Sequence, residues 1–158
     1  MKAYEFLDPK AISIHSSAMT AEEIITDLGT RLYALGNVKE GFISATLKRE
    51  ADMPTGLPLG GEINAAIPHV DIEFVNKSAL ALATLDQPVT FRNMVDSDEE
   101  VAVRLVIMLA LDQPKSQIDM LQEVSNILQQ PEIIDQLMLA DSTDEIIAIL
   151  KSMPEGSP

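Results

Sequence analysis

No cysteine occurs anywhere in the 158 residues. That one absence removes disulfides, thiolate catalysis and the usual zinc sites together. Histidine is scarce as well, with two in the chain, so a metal centre would have to lean on carboxylates. There is no tryptophan and aromatics reach only 4%, which leaves Leu, Ile, Val, Ala and Met to make the core. Positive charge is short: 11 Lys and Arg against 25 Asp and Glu give −14. Such a balance repels phosphate backbones and anionic lipid, so nucleic acid and membrane surfaces are poor partners, while a basic protein is attracted. Long apolar runs are lacking too. The longest, "VRLVIMLAL" at 103–111, contains Arg104 and falls far short of the ~20 residues a membrane span needs. The opening "MKAYEFLDPK" carries Glu5 and no apolar stretch, so no signal peptide is expected and the cytoplasm is the simplest location. G-x-S-x-G, P-loop and dinucleotide fingerprints are missing, which leaves hydrolase and nucleotide-binding chemistry without support.

What is present is enough for one folded unit. Hydrophobic residues make up 46%, and the length suits a single domain over 1–151, with a loose tail at 152–158. "AISIHS" (11–16) alternates as a short strand does. Thr20 with Glu23 forms a capping box for a helix whose inner face is Ile24, Leu28, Leu32 and Leu35, closed by Gly36. A second helix is predicted over 38–51, with Phe42, Ala45 and Leu47 inward and Lys48, Arg49 and Glu50 near its end. "MPTGLPLGG" (53–61), with two prolines and three glycines, reads as a loop.

"INAAIP" (63–68), "SALALATL" (78–85) and "VRLVIMLAL" read as strands buried on both faces, with an edge piece at Val89–Phe91. Three helices follow: one with Ile118, Leu121, Val124 and Leu128 on its stripe, one starting at Pro131, and one opened by the capping box Ser142 and Glu145. The order is strand, two helices, three or four strands, three helices. It implies a three-layer α/β/α domain around a mixed sheet of four to five strands.

His69 is the residue with the most chemistry in its setting. Pro68 cannot donate to a sheet ladder and biases Ile67 toward extended backbone. The strand therefore stops there and His69 sits just past its end, where layered α/β domains expose working groups. On "PH" alone, a ring that caps a strand and an imidazole held out as a nucleophile both remain open. His15 lies on the polar phase of its strand and reads as structural or exposed. "HVDIE" (69–73) has no second histidine or cysteine to complete a metal shell, so no metal and no cofactor is expected.

The stretch "KREADMPTGLPLGGEINAAIPH" favours the nucleophile. An Arg-Glu pair at a helix end, a threonine, a glycine-bearing loop and a small-apolar run into Pro-His resemble the enzyme IIA components of the bacterial phosphoenolpyruvate-dependent sugar phosphotransferase system, fructose/mannitol superfamily. The likeness continues through "LALDQPKSQIDMLQEV", and "READMPTGL" is most similar to the galactitol-type branch. The resemblance implies that His69 is the phospho-acceptor, forming a tele-phosphohistidine with a group taken from the phosphocarrier HPr. The group then passes to a cysteine of enzyme IIB, which acts with the membrane component IIC.

It implies further that Arg49 stabilises the phosphoryl oxygens and that the Thr55 hydroxyl hydrogen-bonds them, with glycines 56, 60 and 61 admitting backbone N–H groups. Gln117 stands where fructose- and mannitol-type members carry a second histidine; it can donate an N–H but carries no charge. Leu57, Leu59, Val70 and Ile72 are the expected contact patch for partners. The alternative reading is a regulatory relative that binds proteins according to the phosphorylation state of His69.

Overall fold

Residues 2–153 are described by a computed structural model. Five strands form one mixed sheet: β1 (Leu7–Ser16), β2 (Gly56–Leu57), β3 (Asn64–Ala66), β4 (Ala79–Arg92) and β5 (Glu100–Ala110), in the order β1-β4-β5-β3-β2. β1 runs parallel to β4 and β3 parallel to β5, while the β4–β5 and β2–β3 pairs are antiparallel. Helices α1 (Ala21–Ala34) and α2 (Phe42–Asp52) precede the inner strands, and α3 (Pro114–Leu128), α4 (Pro131–Leu139) and α5 (Thr143–Ser152) follow them.

Residue size explains how the layers pack. In β4 the run Ala79, Ala81, Ala83 joins the cluster built on Ile24, Leu28, Leu32 and Phe42 of α1 and α2. The alternate residues Leu80 and Leu82 join Met120, Val124, Ile127, Ile134 and Ile146 of α3, α4 and α5. Small side chains on one face let α1 approach, and large ones on the other fill the space under three helices. With both faces covered, the strands carry near-continuous apolar runs. This is the α/β/α sandwich the sequence implies.

Arg104 finds its place in the middle of this apolar strand. The ladder pairs Thr84 with Leu105 but Val89 with Val103, so residues 85–88 bulge opposite Arg104. Its guanidinium donates to the carbonyls of Leu85 (3.0 Å) and Asp86 (3.1 Å) that the bulge has released. Thus 89–91 is the outer half of β4 beyond the bulge and not a separate edge.

Other boundaries shift for local reasons. Strand β1 starts at Leu7, with a register break before Ile12 around Asp8, Pro9 and Lys10. Helix α1 is capped by Thr20 Oγ1, which accepts from Glu23 N–H, while the Glu23 carboxylate reaches Met19 N–H one residue earlier. It ends at Gly36 (φ 79°), with Asn37 N–H bonded to Leu32 O and Gly36 N–H to Tyr33 O. Helix α2 begins at Phe42 and not 38, because Val38 bridges to Val75 and Gly41, at φ 95°, turns the chain into the helix. In α3 the inward stripe is Met120, Val124 and Ile127 with Leu128, whereas Ile118 is 67% exposed. Ser142 Oγ caps α5 by accepting from Glu145 N–H. Ser152 still belongs to α5, and residues 154–158 of the expected loose tail lie outside the described residues. Among the described residues no helix is long and apolar enough to cross a membrane.

Candidate phosphoryl-transfer site

Three segments converge at one end of the sheet. The last turn of α2 and the chain just after it bring Arg49, Asp52, Met53 and Pro54. The exit of β3 brings Ile67 and His69, and the β4–β5 hairpin brings Met94, Val95 and Ser97. With Leu121 of α3 they line a groove of about 540 Å³. The hairpin tip is held by Asn93, whose side-chain oxygen accepts from Val95 and Asp96 N–H, and Met94 N–H bonds to Gly56 O at 2.9 Å.

His69 is anchored through its backbone and through its ring. Pro68 has no N–H to give, yet its carbonyl accepts from Leu109 N–H at 3.0 Å, and His69 itself bridges Leu109 of the central strand β5. The residue is 7% exposed. Its Nδ1 lies 2.7 Å from the Ile67 carbonyl oxygen. A carbonyl can only accept, so in the neutral ring the proton sits on Nδ1 and the lone pair on Nε2. Nε2 has no hydrogen-bond partner among the described residues, and no buried side-chain nitrogen there is left unpaired. The nitrogen with the lone pair is therefore the one that solvent reaches. Burial pushes the ring's pKa below the ordinary histidine value, with Arg49 adding to the effect; the Ile67 carbonyl and Asp71 oppose it. The imidazole is held neutral, in the tautomer of a nucleophile.

Arg49 makes no hydrogen bond or ion pair to another side chain among the described residues, so its fork is available to an anion. Its neighbour Glu50 lines an adjoining groove of about 520 Å³ together with Leu47, Thr90 and Arg92. The Glu50 carboxylate accepts from Thr55 N–H and from Thr55 Oγ1, both at 2.7 Å. Burial raises its pKa above the ordinary carboxylate value, against the pull of the two Thr55 bonds and of Arg49. The single hydroxyl proton of Thr55 is thus engaged, and Thr55, 1% exposed, lies beside the His69 groove without lining it.

Gln117 is half-buried in the first turns of α3, one helical turn ahead of the groove residue Leu121. His15 is remote from all of this. At φ 51°, its Nε2 is 3.1 Å from Asp141 Oδ1, and its backbone N–H donates to Thr84 Oγ1.

Two expectations do not survive. Gly60 and Gly61 line a different groove, against α3 and α4, and offer nothing to His69. Gly56 serves close packing: a Cβ there would lie 2.6 Å from Arg92 O. None of the four residues of the expected contact patch lines the His69 groove: Val70 is 5% exposed, Leu57 and Leu59 pack, partly buried, on the core under α3–α5, and Ile72 is half-buried. The apolar side chains that do face solvent at the groove are Met53 (60%), Met94 (39%) and Val95 (92%).

Residues 5–153 match the family model described as "Phosphoenolpyruvate-dependent sugar phosphotransferase system, EIIA 2". The chain belongs to this family. A galactitol-specific EIIA component from Escherichia coli strain K12 is 35% identical over 128 residues, covering 80% of this chain and 83% of that protein. In solved structures, this EIIA chain is similar to the mannitol-specific cryptic enzyme IIA CmtB from Escherichia coli. The TM-score is 0.77 at 25% identity, covering 95% of this chain and 98% of that one. It is also similar to enzyme IIA of the Escherichia coli mannitol system, solved in complex with phosphorylated enzyme IIB. There the TM-score is 0.74 at 26% identity, over 92% and 97% of the two chains. EIIA components are phosphotransferase relay proteins, and this chain is one of them.

The sequence placed Glu50 in the Arg-Glu pair of the resemblance but gave it no role, and it held no argument for the Met94–Val95 tip of this EIIA. The signal for Glu50 was thin: an acid next to the arginine, with a threonine beyond the following proline.

Proposed function

We propose that His69 is the phospho-acceptor of the relay. Nε2 attacks the phosphorus of phosphohistidine on HPr; the Nε2–P bond forms as the donor's N–P bond breaks, and the donor imidazole keeps the released electron pair. The proton stays on Nδ1 throughout, hydrogen-bonded to the Ile67 carbonyl, so the His69 ring need not shift a proton in the step. A cysteine thiolate of enzyme IIB then attacks the same phosphorus, and the Nε2–P electron pair returns to the ring.

Arg49 neutralises the equatorial oxygens during both transfers, and Gln117 supplies an amide N–H from α3. Through IIB and the membrane component IIC the phosphate reaches an incoming sugar or polyol; galactitol, the sugar of the relative at 35% identity, is the first candidate. The work is done in the cytoplasm, by one domain spanning 1–151. The observation that carries this reading is the 2.7 Å bond from Nδ1 to Ile67 O, which leaves Nε2 bare in a groove shared with Arg49.

The test is labelling from phosphoenolpyruvate in the presence of enzyme I and HPr. Wild type gains one acid-labile phosphate and His69→Ala gains none; persistence of the label on that variant would refute the site. Labelling that never moves on to any IIB cysteine would instead assign the chain to the regulatory reading.

A further inference from the structure

We infer that Glu50 is a positioning residue for His69, acting through Thr55 and the two-residue strand β2 to fix which imidazole nitrogen carries the lone pair. The inference rests on His69 being the phospho-acceptor and adds the device that aims it.

The connection can be followed bond by bond. Glu50 takes both the N–H and the hydroxyl of Thr55, each at 2.7 Å. Thr55 immediately precedes β2, and its carbonyl accepts from Ile67 N–H at 3.3 Å while Gly56 pairs with Ala66. The carbonyl of that same Ile67 then accepts from His69 Nδ1. β5 secures the other edge of this segment, pairing with Ala65 and Ala66 and bonding to Pro68 O. Without the β2 side, the Ile67 peptide is held along one edge only, and its carbonyl direction loosens.

β2 is too short to hold itself. Two residues give a single pair of rungs, Gly56↔Ala66 and Leu57↔Ala65, and the other side adds one bridge from Gly56 to Asn93 and the bond from Met94 N–H to Gly56 O; pairings of that size are marginal in water. A side chain that clamps both polar groups of Thr55 supplies what the ladder lacks. A carboxylate suits the task because its two oxygens accept together, whereas an amide can accept at one atom only. The acid is also largely withdrawn from water beside Leu47 and Phe91. That is a costly place for a carboxylate unless its bonds serve something.

Glu50→Gln and Thr55→Val each remove one acceptor–donor match without changing size much, and Thr55→Ser keeps the hydroxyl. Two quantities are measured: the rate of phosphoryl transfer from phosphorylated HPr, and the imidazole ¹⁵N shifts of unphosphorylated His69. In wild type, Nδ1 reports as protonated and Nε2 as bare. In Glu50→Gln and Thr55→Val the shifts are expected to move toward a tautomer mixture, and transfer to slow about tenfold to a hundredfold, the scale on which a slightly misplaced reacting group loses rate. Thr55→Ser restores most of what Thr55→Val loses.

A merely structural clamp would lower the unfolding midpoint and leave the ¹⁵N pattern untouched. Wild-type shifts in both variants therefore overturn the inference, as does a rate loss that follows stability alone. If wild type itself takes no phosphate at His69, the functional reading fails, and the tautomer measurement still decides on Glu50.

Discussion

Arg49 and Glu50 are consecutive, yet a helix turns about 100° per residue, so one faces the His69 groove and the other the groove beside it. Arg49 disfavours a second positive charge on His69. Arg49→Ala is therefore expected to raise the His69 pKa in an NMR titration and to slow phosphoryl transfer while the fold stays intact; an unmoved pKa would show that the two charges do not sense each other. The linked stability has a definite sign. Because the folded-state pKa is depressed, the unfolded chain binds the proton first, so stability falls as pH drops below the ordinary histidine range, about 6.5. The loss runs until the folded value is reached, and Arg49→Ala narrows that window. Glu50 acts in the opposite sense: its raised pKa favours the folded state at acid pH, and that contribution disappears as pH rises through the folded value. The positions of His69 just past a strand end and of Arg49 near a helix end were legible in the sequence, because Pro68 and the run Lys48–Arg49–Glu50 are local cues; their roles came from the family resemblance. The clamp on Thr55 was not legible, since it depends on a loop folding back on its own helix.

At the scale of elements, the pivot is Gly56, which lies between the site and the hairpin that walls it. Gly56→Ala would set a methyl group 2.6 Å from the Arg92 carbonyl, and backbone cannot step aside as a flexible side chain can. The expected cost is roughly 1–3 kcal/mol, read as a lower denaturation midpoint, together with displacement of Met94, whose N–H bonds to Gly56 O. An unchanged midpoint would mean that the β2–hairpin contact yields freely.

Elements with strong periodicity were read correctly from the residues: the capped starts of α1 and α5, and β4 and β5 as doubly buried runs. Those governed by long-range pairing were not. β2 sits in a segment of prolines and glycines whose composition argues for a loop, and only its partner β3 makes it a strand. In α3 Ile118 fits an apolar stripe as well as Met120 does, yet the sheet underneath takes Met120 and leaves Ile118 exposed, while Leu121, Val124 and Leu128 of the expected stripe do pack on the core.

For the whole molecule, the relevant quantity is the charge of −14 and where apolar contact is permitted. Met53, Met94 and Val95 are exposed at the groove mouth, so an incoming protein meets a small greasy rim on an acidic body. Encounter with a basic carrier should then be steered by the long-range field and finished by the rim. Transfer from phosphorylated HPr under second-order conditions is expected to slow steadily between low and physiological ionic strength, where the screening length shrinks to about 8 Å. A rate indifferent to salt would remove charge from the encounter.

The margins of the sheet bear on the same traffic. On one side β1 breaks its register around Asp8, Pro9 and Lys10; on the other β2 stops after two residues. A long, flat, unpaired margin would invite other chains to add themselves as further strands. A proline flanked by charges at one boundary and a stub at the other deny them that foothold, so a visitor to the rim can dock and depart without being stitched into the sheet.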